Sequence, residues 1–194
     1  FTDLILVDET SGEIFTAKVP STPEDSSIGV LNGIERVCKT ADVNPNEISQ
    51  VMHGTTVATN TILTGTGAKV GLVTTKGYKQ VLQIARSYVP GGLGGWVIYN
   101  KSEPLAPLAC TIEAEERTGA DGKVVRQLKK PALKTELKRL KKENIEALTV
   151  SLVNSYANGK HEKEVGKVAK EVLPGIPVSL SSDVVPEMQE YERT

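Results

Sequence analysis

The run Ala147 to Val153 constrains this chain more than any other segment. It is apolar apart from Thr149 and Ser151, it has the length of a strand rather than of a helix, and it reads as a strand buried on both faces. Pro131 stands at a first-turn position before a stretch with Leu133, Leu137 and Leu140 at i, i+4 and i+7, the spacing of one helical face. After the buried run come a helix pattern over Lys160 to Leu173 and a strand pattern from Pro177 to Ser181. Strands that alternate with amphipathic helices predict α/β layers.

The first half keeps the same rhythm. Leu4 to Val7 predicts a buried strand, Ser11-Gly12 a turn, and Glu13 to Val19 its hairpin partner, with Phe15, Ala17 and Val19 on one face. Asp25, Ser26 and Ser27 are candidate N-caps for a helix that carries Ile28, Leu31, Ile34, Val37 and Cys38 on one side and stops near Asp42 to Pro45. Gln50 to His53 predicts a short strand leading into Gly54-Thr55-Thr56, followed by a helix over Val57 to Leu63 that Gly65 and Gly67 end. A third strand over Lys69 to Thr74 leads, past Gly77, to an amphipathic stretch ending at Arg86.

Pro90-Gly91-Gly92-Leu93-Gly94-Gly95 is too glycine-rich for a regular element and predicts a hinge, lid or lobe boundary before Trp96 to Tyr99. Thr111 to Arg117 and Lys123 to Leu128, joined by Asp121-Gly122, predict a β-hairpin, since Asp-Gly readily adopts the positive φ of a tight turn. Residues 88–130 could thus form a small sub-lobe.

A chain of 194 residues buries one or two compact cores. Its formal net charge of −1 supplies no global field for nucleic acid or an anionic membrane. The basic residues between Lys123 and Lys142 fall on the outer face of the Leu133 helix, and aromatic residues for base stacking are scarce. No stretch approaches the roughly 18–20 apolar residues of a membrane span, and no signal segment opens the chain. Cys38 and Cys110 lack metal-ligand spacing, which fits a reducing, cytoplasmic setting. With His53 and His161 the only histidines, a protein-built zinc site is not expected, and His161 reads as an exposed helix-start residue.

His53-Gly54-Thr55-Thr56, followed by Thr59-Asn60, is the most suggestive cluster. A strand that ends in Gly with hydroxyls at a helix start presents N–H and O–H donors to a phosphate or a polarised carbonyl. The other reading is a set of helix-capping threonines beside a core histidine. Arg86 could hold a carboxylate or phosphate, or could simply favour the C-terminal end of its helix. The glycines match neither the dinucleotide fingerprint nor the P-loop. Asp3 stands beside the first strand, where a phosphate loop and its Mg²⁺ could sit. Asp183 to Arg193 reads as a charged connection, with an acid–base pair as the other possibility.

Several segments resemble the hydantoinase/oxoprolinase family. Phe1-Thr2-Asp3 resembles the end of its Gly-Gly-Thr-Phe-Thr-Asp phosphate loop. His53 to Asn60 and Gly71 to Tyr78 resemble its most distinctive block, with Arg86 where that block carries an arginine. Leu152 to Ala157 with His161-Glu162 resembles a later Ser-Tyr-Ala-Asn-Pro-x-His-Glu run, although Gly159 stands at the usual proline. Ser181 to Glu187 and Glu190 to Thr194 resemble the passage into the catalytic body.

The resemblance implies the N-terminal region of an A-type subunit, spanning residues 1–194 as one domain fragment. It would have an actin/hexokinase-like (ribonuclease H-like) ATPase fold, with a mixed sheet flanked by helices, an inserted hairpin lobe, and its first strand cut away. The activity implied is ATP-dependent opening of a cyclic amide such as hydantoin, N-methylhydantoin or 5-oxoproline. The nucleotide-binding subunit of a ketone carboxylase and a non-catalytic assembly domain, using the glycine run and the hairpin as contacts, are the alternatives. Carried over by residue, Thr2 and Asp3 would border the phosphates, with Asp3 on Mg²⁺. His53 and Arg86 would be catalytic, and Gly54, Thr55, Thr56 and Asn60 would line the nucleotide or substrate side. The expected partners are the rest of a longer chain, a B-type subunit or fused domain, and a small cyclic amide, within an oligomer.

Overall fold

The computed structural model describes residues 1–85 and 103–194. Arg86, the glycine run 90–95 and residues 96–99 lie outside the described residues. The chain divides into two compact units, Phe1–Thr55 and Thr56–Thr194.

In the first unit β1 (Thr2–Val7) pairs antiparallel with β2 (Ile14–Val19), in register from Thr2 opposite Val19 to Val7 opposite Ile14. Period-two alternation sends Leu4, Leu6, Phe15 and Ala17 to one side, where they pack with Ile34, Val37, Cys38 and Ile48. Most of those partners come from α1 (Ser26–Ala41). Asp25 caps it as expected, its carboxylate accepting the Ser27 N–H at 2.9 Å, and Asp42 ends it in the left-handed region at φ 54°. A two-stranded sheet has little stability alone, so α1 is what makes this hairpin a unit. The approach is close at Gly33, where an added Cβ would lie 2.1 Å from Leu4 Cδ1.

The expected strand over Gln50 to His53 does not form. Val51 and Met52 are exposed and, among the described residues, no strand pairs with this segment to hold the backbone extended.

The second unit begins with α2 (Val57–Thr64), which buries none of its residues and ends at Gly65. Among the described residues its core sheet has four strands in the order β4–β3–β7–β8: β3 (Val70–Thr75), β4 (Thr111–Ala114), β7 (Ala147–Ser151) and β8 (Val178–Leu180), every pair parallel. The apolar run from Ala147 is thus central, with Val150 opposite Val73 and Leu180. The amphipathic helices α4 (Lys130–Lys141) and α5 (Lys160–Val172) pack against the sheet and each other. Leu133, Leu137 and Leu140 are fully buried, as their spacing requires. The remaining elements are short: α3 (Val81–Ile84), β5 (Arg117–Thr118), β6 (Val124–Arg126), α6 (Ser181–Val184) and α7 (Glu190–Arg193).

The expected hairpin is smaller than its sequence pattern. β5 and β6 pair across Asp121-Gly122, with Gly122 at φ 76°, but Thr111–Ala114 joins the parallel sheet instead. Thr111, Ile112 and Ala114 are all buried, and a strand covered on both faces belongs in a layered sheet rather than in an exposed hairpin.

Two ion pairs tie the outer faces of the main helices, Lys130 to Glu164 at 3.1 Å and Lys134 to Glu171 at 2.9 Å. The hydrogen bond from Lys130 is the main reason that the Glu164 carboxyl is held below its ordinary value of 4.5. A depressed carboxyl stabilises the fold above its unfolded value and loses that contribution as the pH falls through the folded one. Lys130→Ala should therefore lower stability by about 0.2–1 kcal/mol at neutral pH. In urea denaturation, the gap from the parent chain should close as the medium is acidified below that point.

Candidate functional site

The residues singled out from the sequence lie in two sets. In the first unit, Thr2 opens β1 and its hydroxyl lies 3.1 Å from that of Ser21. Gly29 sits beneath it, and a Cβ there would come within 3.1 Å of Thr22 Oγ1 and 3.4 Å of Thr2 Oγ1. These contacts gather the hydroxyls of Thr2, Ser21 and Thr22 around the first turn of α1. Asp3 is on the outer face of the hairpin, opposite Lys18 in register, with its side chain 66% exposed and 3.2 Å from Lys18 Nζ.

His53, Gly54 and Thr55 end the first unit as exposed, irregular chain. His53 is therefore not a core imidazole. Thr56 and Asn60 open the second unit, one helical turn apart and both exposed, with Asn60 Nδ2 donating to Thr56 Oγ1 at 3.3 Å. Thr56 occupies the N-cap position of α2 yet makes no side-chain capping bond. The division between the units runs through this motif, between Thr55 and Thr56. Arg86 lies outside the described residues.

The second unit also holds a buried polar network, which reading the residues missed. His161 is not exposed at a helix start: it is 1% exposed, and its Nδ1 lies 2.7 Å from Glu116 Oε2, the arrangement in which a ring N–H donates to a carboxylate. The other Glu116 oxygen accepts the Thr75 hydroxyl, and Thr75 Oγ1 in turn accepts the Val153 N–H at 3.0 Å. Glu162, fully buried, accepts the Leu152 N–H at 2.8 Å, the Ser181 hydroxyl at 2.7 Å and the Ser182 N–H at 2.8 Å.

Arg193 completes the set. The stretch Asp183 to Arg193 is not simply a solvated connection, because this guanidinium is buried. It donates to Ser181 Oγ at 3.1 Å, the Glu187 carbonyl at 2.9 Å, the Leu152 carbonyl at 2.8 Å and the Glu190 carboxylate. Thr75, Glu116, Leu152 and Ser181 each lie at or just beyond the C-terminal end of a sheet strand, so one network closes that whole edge. The available signal was that His161-Glu162, Ser181 and Glu190-x-x-Arg193 all fall in the segments that resemble the family.

The family model describing the hydantoinase/oxoprolinase N-terminal region matches residues 1–173. This chain belongs to the hydantoinase/oxoprolinase family. It is 34% identical to the acetophenone carboxylase gamma subunit of Aromatoleum aromaticum, covering 100% of this chain and 28% of that one. Among solved structures, nucleotide-free acetone carboxylase superposes with a TM-score of 0.87 at 25% identity, over 99% of this chain and 29% of that one. The ATP-dependent caprolactamase from Pseudomonas jessenii superposes at 0.82 and 30% identity, over 100% of this chain and 28% of that one. The fold is thus the actin-like α/β domain of this family, and the chain spans less than a third of the length of these relatives.

The two histidines separate the two kinds of site. Replacing His161 by Ala leaves a buried carboxylate without its ring partner and should destabilise by on the order of 3 kcal/mol. His53→Ala, at an exposed position, should stay within about 0.5 kcal/mol of the parent. Urea denaturation followed by circular dichroism measures both, and equal midpoints for the two variants would refute the distinction.

Proposed function

We propose that this chain is the N-terminal ATPase region of an enzyme that opens a cyclic amide by hydrolysing its C–N bond. The observation that carries the reading is the exposure of the whole run His53 to Thr56 together with Asn60, which leaves hydroxyl, amide and imidazole groups at the surface rather than spent in a core. Its similarity to an ATP-dependent caprolactamase supports a lactam as the substrate class. ATP would phosphorylate the amide oxygen with release of ADP, and water would add to the activated carbon. The C–N bond would break with the amine as leaving group to give an acyl phosphate, and a second water would release phosphate and the ring-opened product.

In this reading Thr2 and Asp3 border the phosphates. Among the described residues no group of three His, Cys, Asp or Glu side chains could hold a metal alone. Mg²⁺ is commonly held by one or two carboxylates together with substrate phosphates, and the exposed carboxylate of Asp3 fits that mode. Gly54, Thr55, Thr56 and Asn60 would offer donors to the nucleotide or the substrate. His53 and Arg86 would act on the reacting amide, His53 by moving a proton and Arg86 by holding negative charge.

A second reading is supported by the acetophenone carboxylase and acetone carboxylase similarities, namely a nucleotide-binding subunit of a ketone carboxylase. Either enzyme would work with a B-type subunit or fused domain, in an oligomer. The buried free thiols of Cys38 and Cys110 accord with a reducing, cytoplasmic setting, and among the described residues no helix is long and apolar enough to cross a membrane.

The test is ADP release by the protein at its full natural length with its partner subunit, across hydantoin, N-methylhydantoin, 5-oxoproline, caprolactam, and simple ketones with bicarbonate. Stimulation by one cyclic amide is expected. Stimulation by ketone plus bicarbonate alone would transfer the chain to the carboxylases, and no hydrolysis with any of them would make it an assembly domain. His53→Ala and Arg86→Ala should each lower turnover by on the order of 10²-fold, and near-normal turnover would remove the residue from its role.

A further inference from the structure

The loop after β7 presents three successive N–H groups, and each is taken by a side chain from a different element. Leu152 donates to Glu162 of α5 at 2.8 Å, Val153 to Thr75 of β3 at 3.0 Å, and Asn154 to Glu190 of α7 at 3.1 Å. Asn154 is held at φ 60°, and its side chain donates to the Thr118 carbonyl at 2.9 Å, while Asn158 donates to the Gly122 carbonyl at 2.8 Å. Arg193 grips the same loop from the opposite direction through the Leu152 carbonyl, and its guanidinium lies 5.7 Å from the Tyr156 ring. Thr194 Oγ1 adds a contact at 2.9 Å to Ser151 Oγ.

Glu190 and Arg193 are thus bonded to each other and to the same loop, one to an N–H and the other to a C=O. We infer that the Glu190–Arg193 pair is a latch that makes α7, the loop 152–158 and the Thr75 end of β3 move as one body. The loop passes any displacement of α7 to Thr75 through the Val153 N–H. Beyond Thr75 lies the Lys76–Lys79 turn, in which the N–H groups of Gly77 and Lys79 are held by Glu113 Oε1 at 2.8 and 3.3 Å. A guanidinium suits this role because its planar fork reaches Ser181, Glu187, Leu152 and Glu190 at once, whereas a lysine ammonium at the same position cannot.

Residue-resolved amide hydrogen exchange on this 194-residue chain tests it. Two variants are used: Arg193→Lys, which keeps the charge but loses the fork, and Glu190→Gln, a near-isosteric change at a half-buried position. In both, the amides of Leu152, Val153, Asn154, Gly77 and Lys79 should exchange faster together, by about tenfold or more, while those of Leu133, Leu137 and Leu140 in α4 keep the parent rates. Acceleration confined to residues 187–194 would overturn the latch, since the loop would then be held without it. An equal acceleration of α4 would also overturn it, because the pair would be supporting only global stability. If Arg193→Lys does not fold, Glu190→Gln decides the matter by the same criteria.

Discussion

The second unit depends on how its parallel sheet finishes. Where parallel strands end, the chain turns away from the ladder while still surrounded by protein, and the N–H groups just past the last ladder bond must find other acceptors. After β7 those groups belong to Leu152, Val153 and Asn154, and the acceptors are the side chains of Glu162, Thr75 and Glu190. A buried carboxylate left without donors is costly, and Glu162 is tolerable because its two oxygens receive Leu152, Ser181 and Ser182 together. The fold therefore fixes a glutamate directly after His161, on the first turn of α5, and a serine directly after β8.

In open α/β sheets this edge is where ligands commonly bind. Here it is filled from within by Glu116, His161, Glu162 and Arg193, all buried. The segments that resemble the family accordingly divide into two jobs. Thr2, Asp3 and His53 to Asn60 keep polar groups at the surface, while Thr75, His161, Glu162, Ser181 and Arg193 direct theirs to Glu116, to the backbone of the loop after β7 and to each other. A motif shared with a family of enzymes need not touch substrate in order to be specific, because a buried polar network in which each carboxylate is matched to particular donors tolerates few substitutes.

Most of the architecture was legible because it rests on short-range regularities. Three leucines at helical spacing placed α4, an uninterrupted apolar run placed β7, Asp25 placed the start of α1, and Asp-Gly placed the small turn. The errors come where the deciding partner is remote in sequence. Thr111 to Ala114 has the alternation of a hairpin arm, and only β3, some forty residues upstream, makes it a sheet strand. His161 in a Lys-His-Glu-Lys context reads as a wet helix start, and only Glu116, 45 positions away, explains its burial. For the candidate site, the sequence identified which residues carry suitable chemistry, and the structure adds that those within the described residues are accessible, with Thr2 the most covered.

One local departure from the family pattern has a physical account in this same network. Gly159 stands where a proline is usual, and its φ of −76° would suit proline well. A Cβ there, however, would lie 2.7 Å from Ser182 Oγ and 3.0 Å from Ser182 Cβ, so no side chain fits while Ser182 keeps its position. Ser182 in turn is placed by its N–H bond to Glu162 Oε2, at the start of α6. The glycine is therefore tied to the carboxylate three residues later through Ser182. A proline at 159 would require the Ser182 hydroxyl to rotate away and its Cβ to give by a few tenths of an ångström, against the N–H bond that Ser182 makes to Glu162.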